Sequence, residues 1–371
     1  MAEDEDLEIE ESGAAAPEPP APRANPLLKG QDAAEAVLLQ AFNSGRLPHA
    51  WLLTGPRGIG KATLAYRFAR FLFAEGTGEG GGLFAAAPAS LAVAADHLAF
   101  RQVASGGYPD LLVVERGVDP RRKRQRREIV ADDARGVADF LHLTSGRGGW
   151  RVVIVDGADT MNAHAANSLL KILEEPPKRS VLLLVSDNPG RLLPTIRSRC
   201  RMLPLKALEE SLITELLQTY RPDLSDNART ALAALGEGSI GRALDLAAGD
   251  GVALYKAMSV LLMRLPELDA EALHGFADRV ARLGAEDSFG LLAELLPAWL
   301  ARLVSEGAQG EGAVSAEERA LMRRLAGRRG LDQWVEVWEK LTHLFAQAEG
   351  INLDRKQVVL NAFFALEDAA R

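Results

Sequence analysis

Gly55-Pro56-Arg57-Gly58-Ile59-Gly60-Lys61-Ala62-Thr63 is the stretch that decides how this chain folds. It follows an apolar run, Ala50–Thr54, that reads as a buried strand, and it opens a pattern over 61–73 with the apolar spacing of a helix. In that context the glycines let backbone N–H groups converge on phosphate at a helix N-terminus, whose dipole favours an anion. Gly55, Gly58 and Gly60 would shape the cradle, and Lys61 would bring its charge to the outer phosphates. The plainer alternative is a glycine-rich turn that happens to precede a lysine. A working loop carries Ser or Thr after the lysine, because that hydroxyl ligates the magnesium bridging the phosphates. Here Ala62 stands in that place. Thr63 is one residue further on, about 100° around the helix, so its hydroxyl is expected to point elsewhere. The loop reads as a vestigial nucleotide site.

Outward from the loop, short apolar runs alternate with helical patterns. Strands are predicted at 50–54, 110–115, 151–156, 181–186 and 201–205, with a helix at 161–174 on the spacing of Met161, Ala165, Leu169 and Ile172 or Leu173. Alternation of this kind implies an α/β domain, a parallel sheet covered on both faces. The 151–156 strand ends in Asp156, the place of a metal-holding carboxylate. The next residue, where an acid would polarise the attacking water, is Gly157, which has no side chain for the task. Asp159 follows, read as a helix N-cap with substitution for the missing acid as the alternative. Residues 75–92 are rich in Gly and Ala and read as a flexible insertion.

After 205 the strand signals stop. Helices are predicted at 208–219, 226–235 and 240–247, with Ser225 and Ser239 as N-caps, and the chain stays helical to its end. Phe289, Leu292, Leu296, Trp299 and Leu303 make one stripe, in a helix that Pro297 should kink. Trp334, Val337, Trp338, Leu341, Leu344 and Phe345 make another, and Ser315 with Glu318 fits a capping box. The divisions expected are an acidic disordered tail at 1–25, an α/β domain at 26–205, a small helical lid at 206–250 and an all-helical domain at 251–371.

Composition sets the outer bounds. The 371 residues are 47% apolar and 25% charged, ordinary for a globular chain. No run approaches the eighteen or so unbroken apolar residues of a membrane span, and the acidic start does not read as a secretory leader. Cys200 is the single cysteine, so no internal disulfide forms, and the expected location is the cytoplasm. Eight acids (Glu3, Asp4, Glu5, Asp6, Glu8, Glu10, Glu11, Glu18) against Arg23 give the first 25 residues −7 of the net −8. The remainder is nearly neutral.

The chain resembles the bacterial clamp loaders, the AAA+ subunits of DNA polymerase III. The likeness runs through 25–31 (NPLLKGQ), 45–50 (GRLPHA), the loop at 55–63, 166–177 (ANSLLKILEEPP) and Ser198-Arg199-Cys200, and thins beyond 250 to 350–355 (GINLDR). It implies an AAA+ P-loop domain, a lid, and a C-terminal collar used in oligomerisation. It further implies a hetero-pentameric ring of clamp-loader subunits that opens the sliding clamp and places it on primed DNA. Within such a ring, Ser198-Arg199-Cys200 is the element that reaches a neighbour's nucleotide, with Arg199 offered in trans as an arginine finger; the plainer alternative is an arginine paired with a local carboxylate as ordinary surface. A guanidinium so placed stabilises charge in the transition state. Arg242 matches the lid arginine that senses phosphate in active members, with a purely structural role beside a defective loop as the alternative. With Ala62 and Gly157, the resemblance points to a non-catalytic subunit of a nucleotidyltransferase holoenzyme, needing no cofactor, with weak ATP binding as the most its loop offers.

Two departures from relatives stand out. Residues 75–106 hold no cysteine, so the zinc module of many relatives is not expected. Residues 121–127 (RRKRQRR) carry six cations, suited to DNA phosphates or to a solvated loop alike. His49 and Trp51 read as core packing. Alternatives to the non-catalytic reading are an active AAA+ motor subunit of a clamp loader and a stand-alone DNA-binding protein.

Overall fold

The computed structural model describes residues 19–76, 87–118, 125–143, 145–146, 148–248, 251–282, 286–310, 316–351 and 353–371. Two compact units divide the chain, residues 1–225 and 226–371. Helices expected to form one lid over 206–250 are therefore shared between the units. The basic residues 121–124 and Ser315 lie outside the described residues.

The first unit is an α/β domain. Its strands are β1 (Ala50–Thr54), β2 (Leu111–Val114), β3 (Arg151–Asp156), β4 (Ser180–Ser186) and β5 (Arg201–Pro204), in the spatial order β2-β3-β4-β1-β5. Every pairing is parallel. Its helices are α1 (Asp32–Asn43), α2 (Lys61–Glu75), α3 (Leu98–Ala104), α4 (Ala131–Ala134), α5 (Gly136–His142), α6 (Ala163–Glu174), α7 (Pro194–Arg197) and α8 (Glu210–Tyr220).

Strand side chains alternate between faces, and here both faces are dry. Trp51, Leu53, Val152, Ile154 and Leu183 meet Leu64, Phe68 and Phe71 of α2 on one side. Leu52, Val153, Val155, Leu182 and Leu184 meet Leu169, Ile172 and Leu173 of α6 on the other. Burying one such leucine or phenylalanine contributes about 2 kcal/mol. Trp51 is fully buried with Nε1 donating to the Pro48 carbonyl at 3.1 Å, and His49 Nε2 lies 3.0 Å from the Leu173 carbonyl. Both are packing residues, as their setting in the sequence suggested.

Three expectations change. The tail does not reach residue 25: Pro22–Ala24 is a 3-10 turn, because buried Arg70 donates to the carbonyls of Arg23 (3.2 Å) and Asn25 (2.9 Å) while lying 4.4 Å over the Phe100 ring. The expected insertion at 75–92 is structured at its far end, where Leu91 enters the core and the Pro88 carbonyl accepts from Asn43. Met161 precedes α6, whose N-cap is Asn162, its side chain accepting the Ala165 N–H at 2.9 Å.

The second unit is all helix: α9 (Asp226–Leu235), α10 (Ile240–Ala248), α11 (Gly251–Met263), α12 (Ala270–Ala281), α13 (Glu286–Gln309), α14 (Ala316–Arg328), α15 (Leu331–Ile351) and α16 (Arg355–Ala370). Ser239 caps α10 as expected, its hydroxyl accepting the Arg242 N–H at 3.1 Å. By length and hydropathy, Ser288–Gln309 of α13 is long and apolar enough to cross a membrane. In this unit it is the core helix, burying Leu292, Leu295, Leu296, Trp299 and Leu303 and packing against α11, α12, α14 and α15. The helix continues on both sides of Pro297. Trp338, expected in the α15 stripe, is exposed, whereas Trp334, Leu341 and Phe345 are buried.

Charges are also buried here. Arg302 is 8% exposed and reaches Glu237 (3.3 Å), the Tyr255 hydroxyl (3.0 Å) and Glu318 (3.5 Å). Tyr255 in turn donates to Glu318 at 2.5 Å, and burial raises its phenol. Breaking such a network strands a buried charge, whereas its net worth against an apolar core is small. Arg302→Ala is therefore expected to destabilise the second unit by about 3–5 kcal/mol. Urea unfolding gives the loss, and native-state hydrogen exchange should locate it in α11, α13 and α14. A change below about 1 kcal/mol would contradict the assignment.

Candidate functional site

In a parallel sheet all carboxyl ends lie on one edge, and ligands of open α/β sheets gather there. The loop after β1 (residues 55–60), Glu115 after β2, Asp156 at the end of β3 and Asp187 after β4 share this edge, with Thr54 in register with Ser186 and Asp156 with Val185.

The loop's glycines are required by its backbone. Gly55 has φ +141°, and a Cβ there would sit 2.6 Å from the Leu205 carbonyl oxygen. Gly60, at φ +99°, would bring a Cβ to 2.9 Å from Leu28. Gln31, 4% exposed, pins the loop by donating to the carbonyls of Ile59 (3.2 Å) and Lys206 (2.9 Å). Gly58 is also left-handed, at φ +76°. Gly55, Gly58 and Gly60 thus all have positive φ.

Its lysine is already engaged. The Lys61 side chain is 3% exposed; Nζ donates to the Gly55 carbonyl at 2.8 Å and to the Pro56 carbonyl, and lies 2.7 Å from Asp187 Oδ1. Asp159 accepts the Asp187 backbone N–H at 3.1 Å and so holds the loop that carries this carboxylate. The expected N-cap role of Asp159 is not seen: its Oδ1 accepts from the neighbouring loop, and α6 is capped by Asn162.

Asp156 lies beside this pair. Burial raises its carboxyl above the ordinary 3.8, Glu115 and Asp187 raise it further, and Lys61 and Arg116 partly offset them. Gly157 sits at φ +77°, a left-handed turn where a side chain costs about 1–2 kcal/mol. Ala62 offers no oxygen, and Thr63 is buried at 8% exposure. Among the described residues, no group of three or more His, Cys, Asp or Glu could hold a metal ion. These donors do not fit the magnesium of a working nucleotide site.

At the other end of β4 and its following loop, Ser198-Arg199-Cys200 leaves α7 and enters β5. Arg199 donates to the Thr195 carbonyl at 3.0 Å and pairs with Glu174 Oε1 at 2.7 Å, both side chains remaining partly exposed. Ser198 donates to the same Thr195 carbonyl at 3.1 Å. Cys200 packs against the α6 side of the sheet, and burial pushes its thiol up to about 12, which suits packing and not nucleophilic work. The structure thus presents Arg199 at the surface, oriented by the Glu174 of the LEEPP run. Arg242, in the second unit, pairs with Glu237 at 2.6 Å, a carboxylate it shares with Arg302.

With this geometry in view, the comparisons with known proteins are specific. Residues 30–209 match the family model described as DNA polymerase III, delta subunit. A stretch of 207 residues is 38% identical to DNA polymerase III subunit delta' of Pseudomonas aeruginosa, covering 55% of this chain and 57% of that one. The delta' subunit of Bacillus subtilis is 31% identical over 226 residues (61% and 62%), and the tau subunit of Escherichia coli 31% over 257 (66% and 36%). The chain thus spans about three-fifths of the length of the delta' relatives. The family's segment contains the phosphate loop, Asp156, Asp187 and Arg199, so all of the site in the first unit lies within it.

Sequence reasoning had nominated Lys61, Asp156 and Arg199, but not Asp187, Glu174 or Gln31. Asp187 carried one usable signal, its place directly after a predicted strand of a parallel sheet. Glu174 and Gln31 lay inside the quoted motifs, but only the fold brings them to Arg199 and to the loop.

The Asp156 shift has a consequence for stability. Because its folded-state carboxyl binds a proton more tightly than the unfolded chain's, the ionised form costs stability at neutral pH, and that cost fades as pH falls through the raised value. Asp156→Asn should raise the melting temperature at pH 7, with the gain vanishing as pH falls to 3.8 and below. Melting curves across pH test it, and a gain independent of pH would refute it.

Proposed function

We propose that this chain is a clamp-loader subunit of the delta' type, which assists loading of the sliding clamp onto primed DNA and lends Arg199 to the ATP site of a neighbouring subunit. It assembles with other clamp-loader subunits in a hetero-pentameric ring, through its helical C-terminal region, and meets clamp and DNA as part of that complex. The family match of residues 30–209 supports the assignment. So does a single contrast in the site. Arg199 stands at the surface, held by Glu174, while Lys61 is buried beside Ala62 and neutralised by Asp187 of the same chain. A motor needs the second set of residues; a partner that completes another subunit's motor needs only the first.

The chemistry assigned to Arg199 is electrostatic. Its guanidinium is planar and permanently charged, and offers paired N–H donors to the oxygens of a transferring phosphoryl group. Glu174 is its counter-ion until a more highly charged acceptor arrives, and an exposed pair of this kind is worth about 0–1 kcal/mol, little to give up. The intrinsic ATPase is absent in this reading, since no hydroxyl follows Lys61 and no acid follows Asp156.

Arg199→Ala should leave the chain folded and able to assemble, yet lower hydrolysis at the adjoining ATP site by about a thousandfold or more. Single-turnover ATPase of the reconstituted complex is the measurement; an unchanged rate would remove the arginine from the mechanism. Lys61→Ala should leave the complex's ATPase unchanged, and a loss of clamp loading with folding intact would show that the loop still works.

A further inference from the structure

The contact between Lys61 and Asp187 has no part in supplying Arg199, yet it lies where the phosphate loop would take its anion. Lys61 is the residue that gives such a loop its positive charge, and here its ammonium has three oxygen partners and a side chain 3% exposed. An ammonium has three hydrogens to donate, so this set saturates it. Two partners, the carbonyls of Gly55 and Pro56, belong to the loop itself. The third, Asp187 Oδ1 at 2.7 Å, is an anion brought from β4, on the same carboxyl edge of the sheet.

We propose that Asp187 is an internal counter-ion that closes the phosphate loop, its carboxylate standing where a phosphate oxygen of a polyphosphate ligand would meet Lys61. Three observations carry this. The loop keeps its cradle, with Gly55, Gly58 and Gly60 all at positive φ and Gln31 fixing the backbone, so its shape alone does not explain disuse. Asp159 holds the Asp187 backbone by its N–H, so the carboxylate is placed by the fold rather than by chance rotation of a long side chain. Glu115, directly after β2, and Asp156, at the end of β3, lie on the same carboxyl edge and bring two further carboxylates to it. An incoming triphosphate must therefore displace one carboxylate and approach two more. The Asp187 side chain is 47% exposed, so it has a solvated position to move to when displaced or replaced.

This device differs from the loss of the metal ligand. Ala62 removes magnesium and with it hydrolysis; Asp187 removes the charge that would bind the anion at all. The two are separable, because replacing Asp187 does nothing for the missing hydroxyl.

The inference rests on reading residues 55–63 as the phosphate loop of an idle motor. Isothermal titration calorimetry of the full chain with ATP, without added metal, compares wild type, Asp187→Asn, Asp187→Ser and Asp187→Asn combined with Lys61→Ala. Both single variants should bind ATP at least about tenfold more tightly than wild type, the scale of one charge-assisted hydrogen bond released to the ligand. The double variant should lose the gain, and tripolyphosphate should reproduce it. Neither Asp187 variant should hydrolyse ATP when magnesium is added. Equal affinity in wild type and both folded variants, including binding too weak to measure in all three, overturns the counter-ion alone. ATP hydrolysis by the wild-type chain overturns both the counter-ion and the idle-motor reading, so the two failures are told apart.

Discussion

Every strand of the sheet runs in the same direction, and the arrangement of the first unit depends on that parallel pairing. Parallel strands need crossovers, the crossovers are helices, and the helices cover both faces, so that ligand chemistry gathers at the carboxyl edge. On that edge the register sets Thr54 level with Ser186 and Asp156 level with Val185. A lysine, three carboxylates and a glycine cradle are brought together from segments up to 132 positions apart in the chain, from Gly55 to Asp187. The contact of Lys61 with Asp187 is not local.

The electrostatics of the edge follow from the same constraint. A buried ammonium is costly unless it is paired and hydrogen-bonded. In a working motor the phosphates fill that need; in this chain Asp187 and two loop carbonyls do so. The outcome is a glycine-rich loop with left-handed backbone at Gly58 and Gly60 whose lysine is paired within the chain. Arg199 is in the opposite condition. It is partly exposed and paired with a single partly exposed carboxylate, so its charge remains available to another molecule. The contrast between one satisfied cation and one available cation, both inside the segment that matches the polymerase III family, gives the functional reading its physical content.

The second unit shows the same economy of charge in an all-helical setting. Glu237 lies in a left-handed position, φ +48°, at the turn between α9 and α10, and it accepts from both Arg242 and Arg302. Through Arg302 that turn is tied to Tyr255 on α11 and Glu318 on α14. A turn between two short helices is thus fastened to the core of the unit by ion pairs and hydrogen bonds, where the sequence had suggested only a helical lid.

Much of the first unit was legible in advance because its signals are local. Apolar runs of four to seven residues bounded by Gly and Pro gave all five strands to within a residue or two. Left-handed turns need glycine, so the loop at 55–60 was readable from composition alone. The loss of the magnesium hydroxyl at Ala62 was equally plain, since no packing can supply an oxygen that a side chain lacks. What the chain did not disclose were contacts between distant segments. Arg70 ordering residues 22–25, Asp159 serving Asp187 rather than a helix end, and Trp338 facing solvent all depend on which surfaces the fold brings together. Periodicity tells which residues share a face of a helix; it does not tell whether that face is covered. By itself the sequence determined the cradle, the missing ligand and the surviving arginine. Only the tertiary structure decided that Lys61 is neutralised from within, because an ion pair between residues 126 positions apart exists solely through the parallel alignment of β1 with β4.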